Sequence, residues 1–300
     1  MGVGRQKAQA MAEFRDIYWW SADGLRLHAH DYPGAADVPP VLCLPGLTRN
    51  ARDFADVART IAPGRRVIAL DFRGRGESGY AKDPMTYVPL TYAQDVVALL
   101  AEQGIERFAC IGTSLGGIVT MLLAGMVPGR ITGALLNDVG PEIEAAGLSR
   151  IRGYVGKPST WPTWMHAARG VQEGNAAAYP DWTIEKWLAM AKRLYRLNSA
   201  GRIVLDYDMK IAEPFRLPGG EAGPDMWRAL AGLSGVPVLV VRGAASDILS
   251  ADVAARMVAA LADAALVTVP RVGHAPMLDE PAVQPALQHW LARSGNRVAD

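Results

Sequence analysis

The sequence predicts an α/β fold, in which a mostly parallel sheet is flanked by helices and interrupted by a mainly helical insertion. Short apolar runs alternate with segments of helical periodicity up to about residue 140. From there to about residue 235 no run reads as a buried strand, and this stretch holds five of the eight tryptophans. The alternation resumes at Val238. We therefore predict a core formed by residues 14–140 and 236–295, and a helical cap formed by residues 141–235.

Turn residues and periodicity place each core element in order. The turn Ser21-Ala-Asp-Gly24 predicts a hairpin, Pro45-Gly46 ends the next strand, and Gly104 ends a helix. The predicted order is a hairpin of 17–20 and 25–32, strand 41–44, helix 53–61, strand 67–70, helix 92–101, strand 107–112, helix 115–126 and strand 131–136. After the cap come strand 238–241, helix 251–261, strand 265–269 and helix 282–291.

The most informative motif is Gly112-Thr-Ser114-Leu-Gly116, which stands between a predicted buried strand and an apolar helix. A G-x-S-x-G turn in that context raises the serine hydroxyl above the end of the sheet, where it can act as a nucleophile. The two glycines leave room for the strand and helix backbones to approach each other. Ser114 is therefore the predicted nucleophile.

A serine nucleophile requires a histidine to take its proton and an acid to orient that histidine. Asp247 and His274 each follow a predicted core strand, and the chain order Ser114, Asp247, His274 is the one expected with this turn. We predict these three residues to be catalytic. Asp138, at the end of the preceding core strand, is the open alternative for the acid.

An oxyanion formed at Ser114 would need backbone N–H donors. The residue after the nucleophile, Leu115, supplies one because it begins a helix. Leu47, in the turn Leu44-Pro-Gly-Leu-Thr48 beyond a core strand, is the predicted second donor.

Composition excludes several classes of function. The net charge of +1 gives no electrostatic drive toward nucleic acid or acidic membranes, and no apolar run is long enough to span a bilayer. No apolar core of a secretory signal lies in Met1–Glu13, so we expect a cytoplasmic protein. The motif Gly74-Arg-Gly-Glu-Ser-Gly79 is not followed by a helix, which argues against a dinucleotide site. We expect no cofactor and no metal, and the oligomeric state is not readable.

These motifs together resemble the α/β-hydrolase superfamily, specifically its small serine hydrolases with a helical cap, of the esterase and lactonase kind. The resemblance rests on 44–50 (LPGLTRN), 71–78 (DFRGRGES), 112–117 (GTSLGG), 242–247 (RGAASD) and 273–281 (GHAPMLDEP). It implies an eight-stranded, mostly parallel sheet with an antiparallel start and a cap after the sixth strand. One departure is Pro45-Gly46, where many relatives have His-Gly, so a hydrogen bond from that histidine is absent.

The leading functional hypothesis is a serine hydrolase that cleaves a small apolar carboxylic ester or lactone through an acyl-enzyme. Two alternatives stay open: a C–C bond hydrolase acting on a diketone ring-fission product, and a non-catalytic binder of a small ligand. Arg49 is a candidate contact for a substrate carboxylate or carbonyl, and Trp161, Trp164 and Trp187 are candidate contacts for an apolar group. The tryptophans are equally compatible with a small core inside the cap.

Overall fold

A computed structural model describes residues 14–214 and 225–295. Its centre is an eight-stranded sheet with the order β1-β2-β4-β3-β5-β6-β10-β11. The first strand pairs antiparallel with the second, β2 pairs antiparallel with β4, and the rest are parallel. The strands are β1 (Arg15–Trp20), β2 (Arg26–Tyr32), β3 (Val41–Leu44), β4 (Val67–Asp71), β5 (Phe108–Thr113), β6 (Ile131–Asn137), β10 (Val238–Gly243) and β11 (Ala264–Val269). The predicted α/β sheet, including its antiparallel start, is confirmed.

The central strands are predominantly apolar because helices cover both faces of the sheet. All residues of β3, β4 and β6 are buried. Buried side chains form one cluster on each face, with Leu99, Val119 and Val253 on one side and Ile61 and Leu287 on the other. The flanking helices are α1 (Ala55–Ile61), α2 (Pro89–Glu102), α3 (Leu115–Met126), α8 (Ala251–Ala260) and α9 (Gln284–Ser294). The predicted elements therefore exist in the predicted order, with ends shifted by a few residues.

The segment between β6 and β10 is mainly helical, but it also contains a small sheet. Its elements are α4 (Ala145–Tyr154), β7 (Thr160–Trp161), α5 (Trp164–Asn175), α6 (Ile184–Leu194), β8 (Tyr195–Leu197), β9 (Ile203–Leu205) and α7 (Met226–Ala231). The three short strands pair antiparallel in the order β7-β9-β8. The sequence predicted helical patches and no buried strand here; the three strands are short and mostly not buried, and the turn Asn198-Ser-Ala-Gly201 between β8 and β9 was the available signal for them.

The inserted segment has its own apolar cluster, to which Ala168, Trp187 and Met190 belong. Its last helix, α7, packs against the core of the main sheet instead. Leu230 of α7 belongs to the core cluster that also contains Val119 of α3. The domain boundaries at 140 and 236 stay predictions. Within the described part of the chain, no helix is both long and apolar enough to cross a bilayer. The expectation about a secretory signal concerns residues 1–13, which lie outside the described residues.

Candidate active site

Ser114 lies on a strained turn between β5 and α3. Its φ of 52° and ψ of −117° put a non-glycine residue in a region that L-amino acids rarely adopt. The turn is tight: a Cβ on Gly116 would lie 1.9 Å from the carbonyl oxygen of Leu44, and one on Gly112 would lie 2.4 Å from that of Gly116. The Ser114 amide donates to the Asn137 carbonyl at 2.9 Å. Neighbouring backbone therefore holds the serine in this conformation.

His274 reaches Ser114 from the loop that follows β11. Its Nε2 lies 2.9 Å from Ser114 Oγ, although the two residues are separated by 160 positions in sequence. Around the ring, Tyr179 donates its hydroxyl to the Ala275 carbonyl at 2.7 Å, and Gly273 donates its amide to the Ala178 carbonyl at 2.7 Å. The cap segment after α5 therefore helps to position the histidine loop. The structure brings the predicted nucleophile and histidine into hydrogen-bonding contact.

The acid beside His274 is Asp138, and the predicted pairing with Asp247 was wrong. Asp138 Oδ2 lies 2.8 Å from His274 Nδ1 and also accepts a hydrogen bond from Ser246 Oγ at 2.7 Å. Its Oδ1 accepts the Gly243 amide at 2.9 Å. Asp138 follows β6 with a φ of 57°, which turns its fully buried carboxylate across the end of β10.

Asp247 instead forms a two-point ion pair with Arg150 of α4. The Arg150 Nε and Nη2 atoms lie 2.5 and 2.8 Å from the two carboxylate oxygens. Hydrogen bonding from Arg150 lowers the pKa of Asp247 below its ordinary value. Asp247 is therefore paired with a residue of the inserted segment. The neighbouring Asp138 contacts His274 instead.

The two predicted oxyanion donors flank the serine. Leu115 is the first residue of α3, and the first N–H groups of a helix have no partner within the helix. On the other side, a Cβ added to Gly46 would lie 3.8 Å from the Ser114 Cβ, so the turn containing Leu47 passes directly beside the nucleophile. Gly46, Leu47 and Ser114 line a common cavity.

A buried arginine of the glycine-rich motif 74–79 supports this turn. Arg75 is fully buried, and its Nε donates to the Leu47 carbonyl at 2.9 Å. Its Nη1 donates to the Arg73 carbonyl at 2.7 Å and to the Tyr92 hydroxyl at 3.0 Å. The glycine-rich loop 74–79 thus ties the turn that contains Leu47 to the core through Arg75, and no helix begins directly after the loop.

Two cavities of different character meet at Ser114. The more polar one, which we call the polar cavity, has charged and hydroxyl-bearing side chains among apolar ones; its polar side chains include Arg49, Asp53, Arg150, Tyr154 and Tyr179. The apolar cavity is lined mainly by hydrocarbon and aromatic groups, among them Tyr92, Ile118, Val139, Ile143, Leu148 and Ile248. Leu47, Ser114 and Ile151 line both. A molecule that binds at Ser114 can therefore extend into two environments.

Of the predicted substrate contacts, only Arg49 lines one of these cavities. Its guanidinium is held by Asp53, with Nη2 2.7 Å from Oδ1. Trp161, Trp164 and Trp187 line neither cavity, and all three pack in the apolar cluster of the inserted segment. Their packing agrees with the alternative of a small core inside the cap, and contact of these tryptophans with substrate stays a prediction. Pocket residues that sequence reasoning missed are Arg150 and Tyr154, for which the helical spacing in α4 was the available signal.

The hairpin brings together one group with metal-ligating atoms, away from Ser114. Among the described residues, ligand atoms of Asp16, His28 and His30 lie within 4.8 Å of one another. His28 is already engaged on both ring nitrogens, by Asp71 at 2.7 Å and by Asp16 at 3.0 Å. Carboxylates on both sides raise the pKa of His28, against the effect of its burial. The sequence interpretation overlooked this group because the strand register, not the sequence spacing, assembles it.

Comparison with known proteins identifies the family. The model of the "Alpha/beta hydrolase family" matches residues 41–284, which is most of the chain. The chain belongs to the α/β-hydrolase family. It is 36% identical over 266 residues to a protein of Cupriavidus necator named 3-hydroxybutyrate-oligomer hydrolase, with 86% of this chain and 89% of that protein covered.

Solved structures agree with this assignment. An α/β hydrolase from Novosphingobium aromaticivorans is 58% identical, with a TM-score of 0.90 over 94% of this chain and 99% of that one. A putative hydrolase from Rickettsia typhi is 24% identical and shares the fold, with a TM-score of 0.81 over 93% of this chain and 99% of that one. The predicted superfamily and fold are confirmed, and the coarse functional prediction of a hydrolase agrees with the names of these relatives.

Proposed function

We propose that this α/β hydrolase is a serine esterase that cleaves carboxylic esters through an acyl-enzyme. The observation that carries the proposal is the hydrogen-bonded line from Ser114 Oγ to His274 Nε2 and from His274 Nδ1 to Asp138 Oδ2. A serine hydroxyl is a weak nucleophile by itself, and a histidine at 2.9 Å can accept its proton as the new bond forms.

In the proposed reaction Ser114 Oγ attacks the ester carbonyl while His274 takes the serine proton. His274 then protonates the leaving alcohol, and the same histidine activates water to release the acid from Ser114. Asp138 holds the ring in the tautomer that presents an unprotonated Nε2 to the serine, and it stabilises the imidazolium that forms. The buried position of Asp138 strengthens this interaction because little water competes for it.

The backbone amides of Leu47 and Leu115 are the proposed oxyanion donors. Removing one such donor typically costs about 3 kcal/mol of transition-state stabilisation. Arg75 supports the first donor by holding the carbonyl of the same residue, Leu47. Since both donors belong to the backbone, Pro45-Gly46 can serve in place of His-Gly at this turn.

For the substrate, we propose esters of short hydroxy acids, including small oligomers in which one hydroxy acid esterifies the next. The relative from Cupriavidus necator, which covers most of this chain, is named for hydrolysis of 3-hydroxybutyrate oligomers. A cavity with tyrosine and arginine groups on one side of Ser114 suits such an oxygen-rich substrate better than a purely apolar ester. Lactones of the same acids contain the same bond and belong in the substrate panel.

The test combines labelling with a substrate panel. We expect a fluorophosphonate probe to label the wild-type protein at Ser114, and Ser114→Ala to lose label and at least a thousandfold of its kcat/KM on short esters. Ser234→Ala, at an exposed serine that lines neither cavity, is the matched control. Absence of both labelling and turnover would favour the binder, and turnover of a vinylogous diketone but of no ester would favour the C–C hydrolase.

A further inference from the structure

Because Ser114 lies between the two cavities, the two sides of a bound ester would occupy different cavities. An ester carbonyl carries an acyl chain on one side and an alkoxy group on the other. With the carbonyl carbon at Ser114 Oγ, one side must enter the polar cavity and the other the apolar cavity, which Leu47 and Ile151 separate. The chemistry of each cavity therefore selects the chemistry of one side of the substrate.

The lining of the polar cavity includes two guanidinium groups, each of which is paired with one carboxylate. Two arginines, Arg49 and Arg150, line it together with one carboxylate, that of Asp53. Asp247, the partner of Arg150, does not line the cavity. The ion pair therefore holds the guanidinium in place without adding a carboxylate to the cavity lining. A guanidinium has five N–H donors, and the ion pair with Asp247 uses the one on Nε and one of the two on Nη2, which leaves three N–H groups outside that pair.

Arg150 is better placed than Arg49 to bind an anion. The Arg49 side chain is 20% exposed, and its Nη2 contacts both Asp53 Oδ1 at 2.7 Å and Met190 Sδ at 2.8 Å. The Arg150 side chain is 41% exposed. Tyr154, one turn further along α4, lines the same cavity and can add a hydroxyl donor.

We propose that the polar cavity binds a free carboxylate of the substrate and that Arg150 determines this specificity. The apolar cavity then takes the hydrocarbon part on the other side of the scissile bond. Asp247 is a positioning residue, because it holds the Arg150 guanidinium at a fixed angle. This inference rests on the proposed esterase function and narrows its substrates to esters that carry a carboxylate.

The experiment compares esters that carry a carboxylate with neutral analogues of similar length. One pair places the carboxylate on the acyl side: mono-4-nitrophenyl glutarate against 4-nitrophenyl pentanoate. The other places it on the alcohol side: 3-butanoyloxybutanoate against 3-butanoyloxybutanamide, which contains the same single ester bond. In the wild type we expect kcat/KM to favour the charged member of at least one pair by about tenfold or more, which corresponds to ~1.4 kcal/mol.

Substitutions at Arg150 then test the assignment. We expect Arg150→Gln to bring the charged-to-neutral ratio close to one, and Arg150→Lys to give an intermediate ratio because it keeps the charge but loses the two-point pair. Arg293→Gln is the matched control: Arg293 forms a two-point pair with Asp263 at similar exposure, 45% and 33%, and lines neither cavity. Its ratio should equal that of the wild type.

Two results would overturn the inference while leaving the esterase function intact. One is turnover of neutral esters with no preference for the charged member of either pair. The other is a preference that persists in Arg150→Gln and in Arg150→Lys, whose folding is checked by thermal denaturation. Loss of the proposed function is recognised separately, because no ester would be hydrolysed and no fluorophosphonate would label Ser114, and it removes the inference as well.

Discussion

At the scale of single residues, the site depends on which of two aspartates contacts His274. Both follow parallel strands that are direct neighbours in the sheet, β6 and β10, so both lie at the same edge. Asp138 lies 2.8 Å from His274 Nδ1, whereas Asp247 is paired with Arg150. The choice between them is therefore made by side-chain partners and not by strand position.

We expect Asp138→Asn to lower kcat on short esters by about a thousandfold to ten-thousandfold, since an amide there favours the wrong tautomer of the histidine. Asp247→Asn should lower kcat on neutral esters by far less, because the carboxylate it removes does not contact His274. Steady-state kinetics on 4-nitrophenyl pentanoate, with both proteins checked by thermal denaturation, measures the difference. A larger loss in Asp247→Asn than in Asp138→Asn would contradict this assignment.

At the scale of elements, the β1–β2 hairpin joins the sheet through a cluster of ionisable groups. His30 is buried, with its Nδ1 unpartnered, and its ring stacks on Phe14 at a centroid distance of 3.8 Å. Burial lowers the pKa of His30 from 6.5 to about 4. The nearest carboxylate, Asp16, lies 4.0 Å from its Nε2, too far to keep the ring charged.

This depressed pKa predicts how stability depends on pH. Between pH 6.5 and about 4 the unfolded chain binds a proton at His30 that the folded protein does not, so the free energy of unfolding falls as the pH falls. The contribution of His30 to the free energy of unfolding is fully present above pH 6.5 and is lost as the pH falls to about 4. It is on the order of 3 kcal/mol at most. His28 adds little slope over most of this window, because its pKa is raised in the folded protein and is 6.5 in the unfolded chain, so the ring is mostly protonated in both states well below pH 6.5.

Chemical denaturation at several pH values measures the effect. His30→Phe keeps an aromatic ring against Phe14 and removes the proton-binding group, so its stability should fall less steeply between pH 6.5 and 4. His289→Phe, at an exposed position in α9, is the control and should keep the wild-type slope. Equal slopes in the wild type and His30→Phe would show that His30 does not carry this dependence.

At the scale of the whole molecule, the inserted segment both encloses the active site and supports it. Trp187 is 1% exposed and packs against Trp182 and Tyr179 at centroid distances of 4.8 and 6.0 Å. Tyr179 in turn donates to the Ala275 carbonyl beside His274. Burial keeps the Tyr179 hydroxyl neutral by raising its pKa. The cap core is therefore connected through Tyr179 to the loop that carries His274.

We expect Trp187→Ala to lower the free energy of unfolding by about 3 to 5 kcal/mol, as deletion of a buried aromatic side chain typically does. Trp20→Ala, at a position 60% exposed on β1, should change it by about 0.5 kcal/mol or less. Denaturant titration of both variants makes the comparison. If Trp187 contacted substrate instead, its replacement would shift the ester chain-length profile with little loss of stability.

The sequence by itself determined the order of the core elements and the choice of Ser114 and His274 as the proposed nucleophile and its histidine partner. These depend on local patterns: apolar runs of strand length, helical spacing, and the glycines that let Ser114 occupy its turn. Each pattern is complete within a few residues, so no distant partner is needed to recognise it. The C-terminal ends of β5 and β11 then place Ser114 and His274 at one edge.

Only the tertiary structure decided the acid, the role of the tryptophans and the small sheet in the cap. Asp138 and Asp247 satisfy the same sequence criterion, and the pairing of Asp247 with Arg150, 97 positions away, separates them. The tryptophans could line a pocket or fill a core, and packing put them in the core. In each case the outcome depends on contacts between segments far apart in the chain, which local propensity and spacing do not encode.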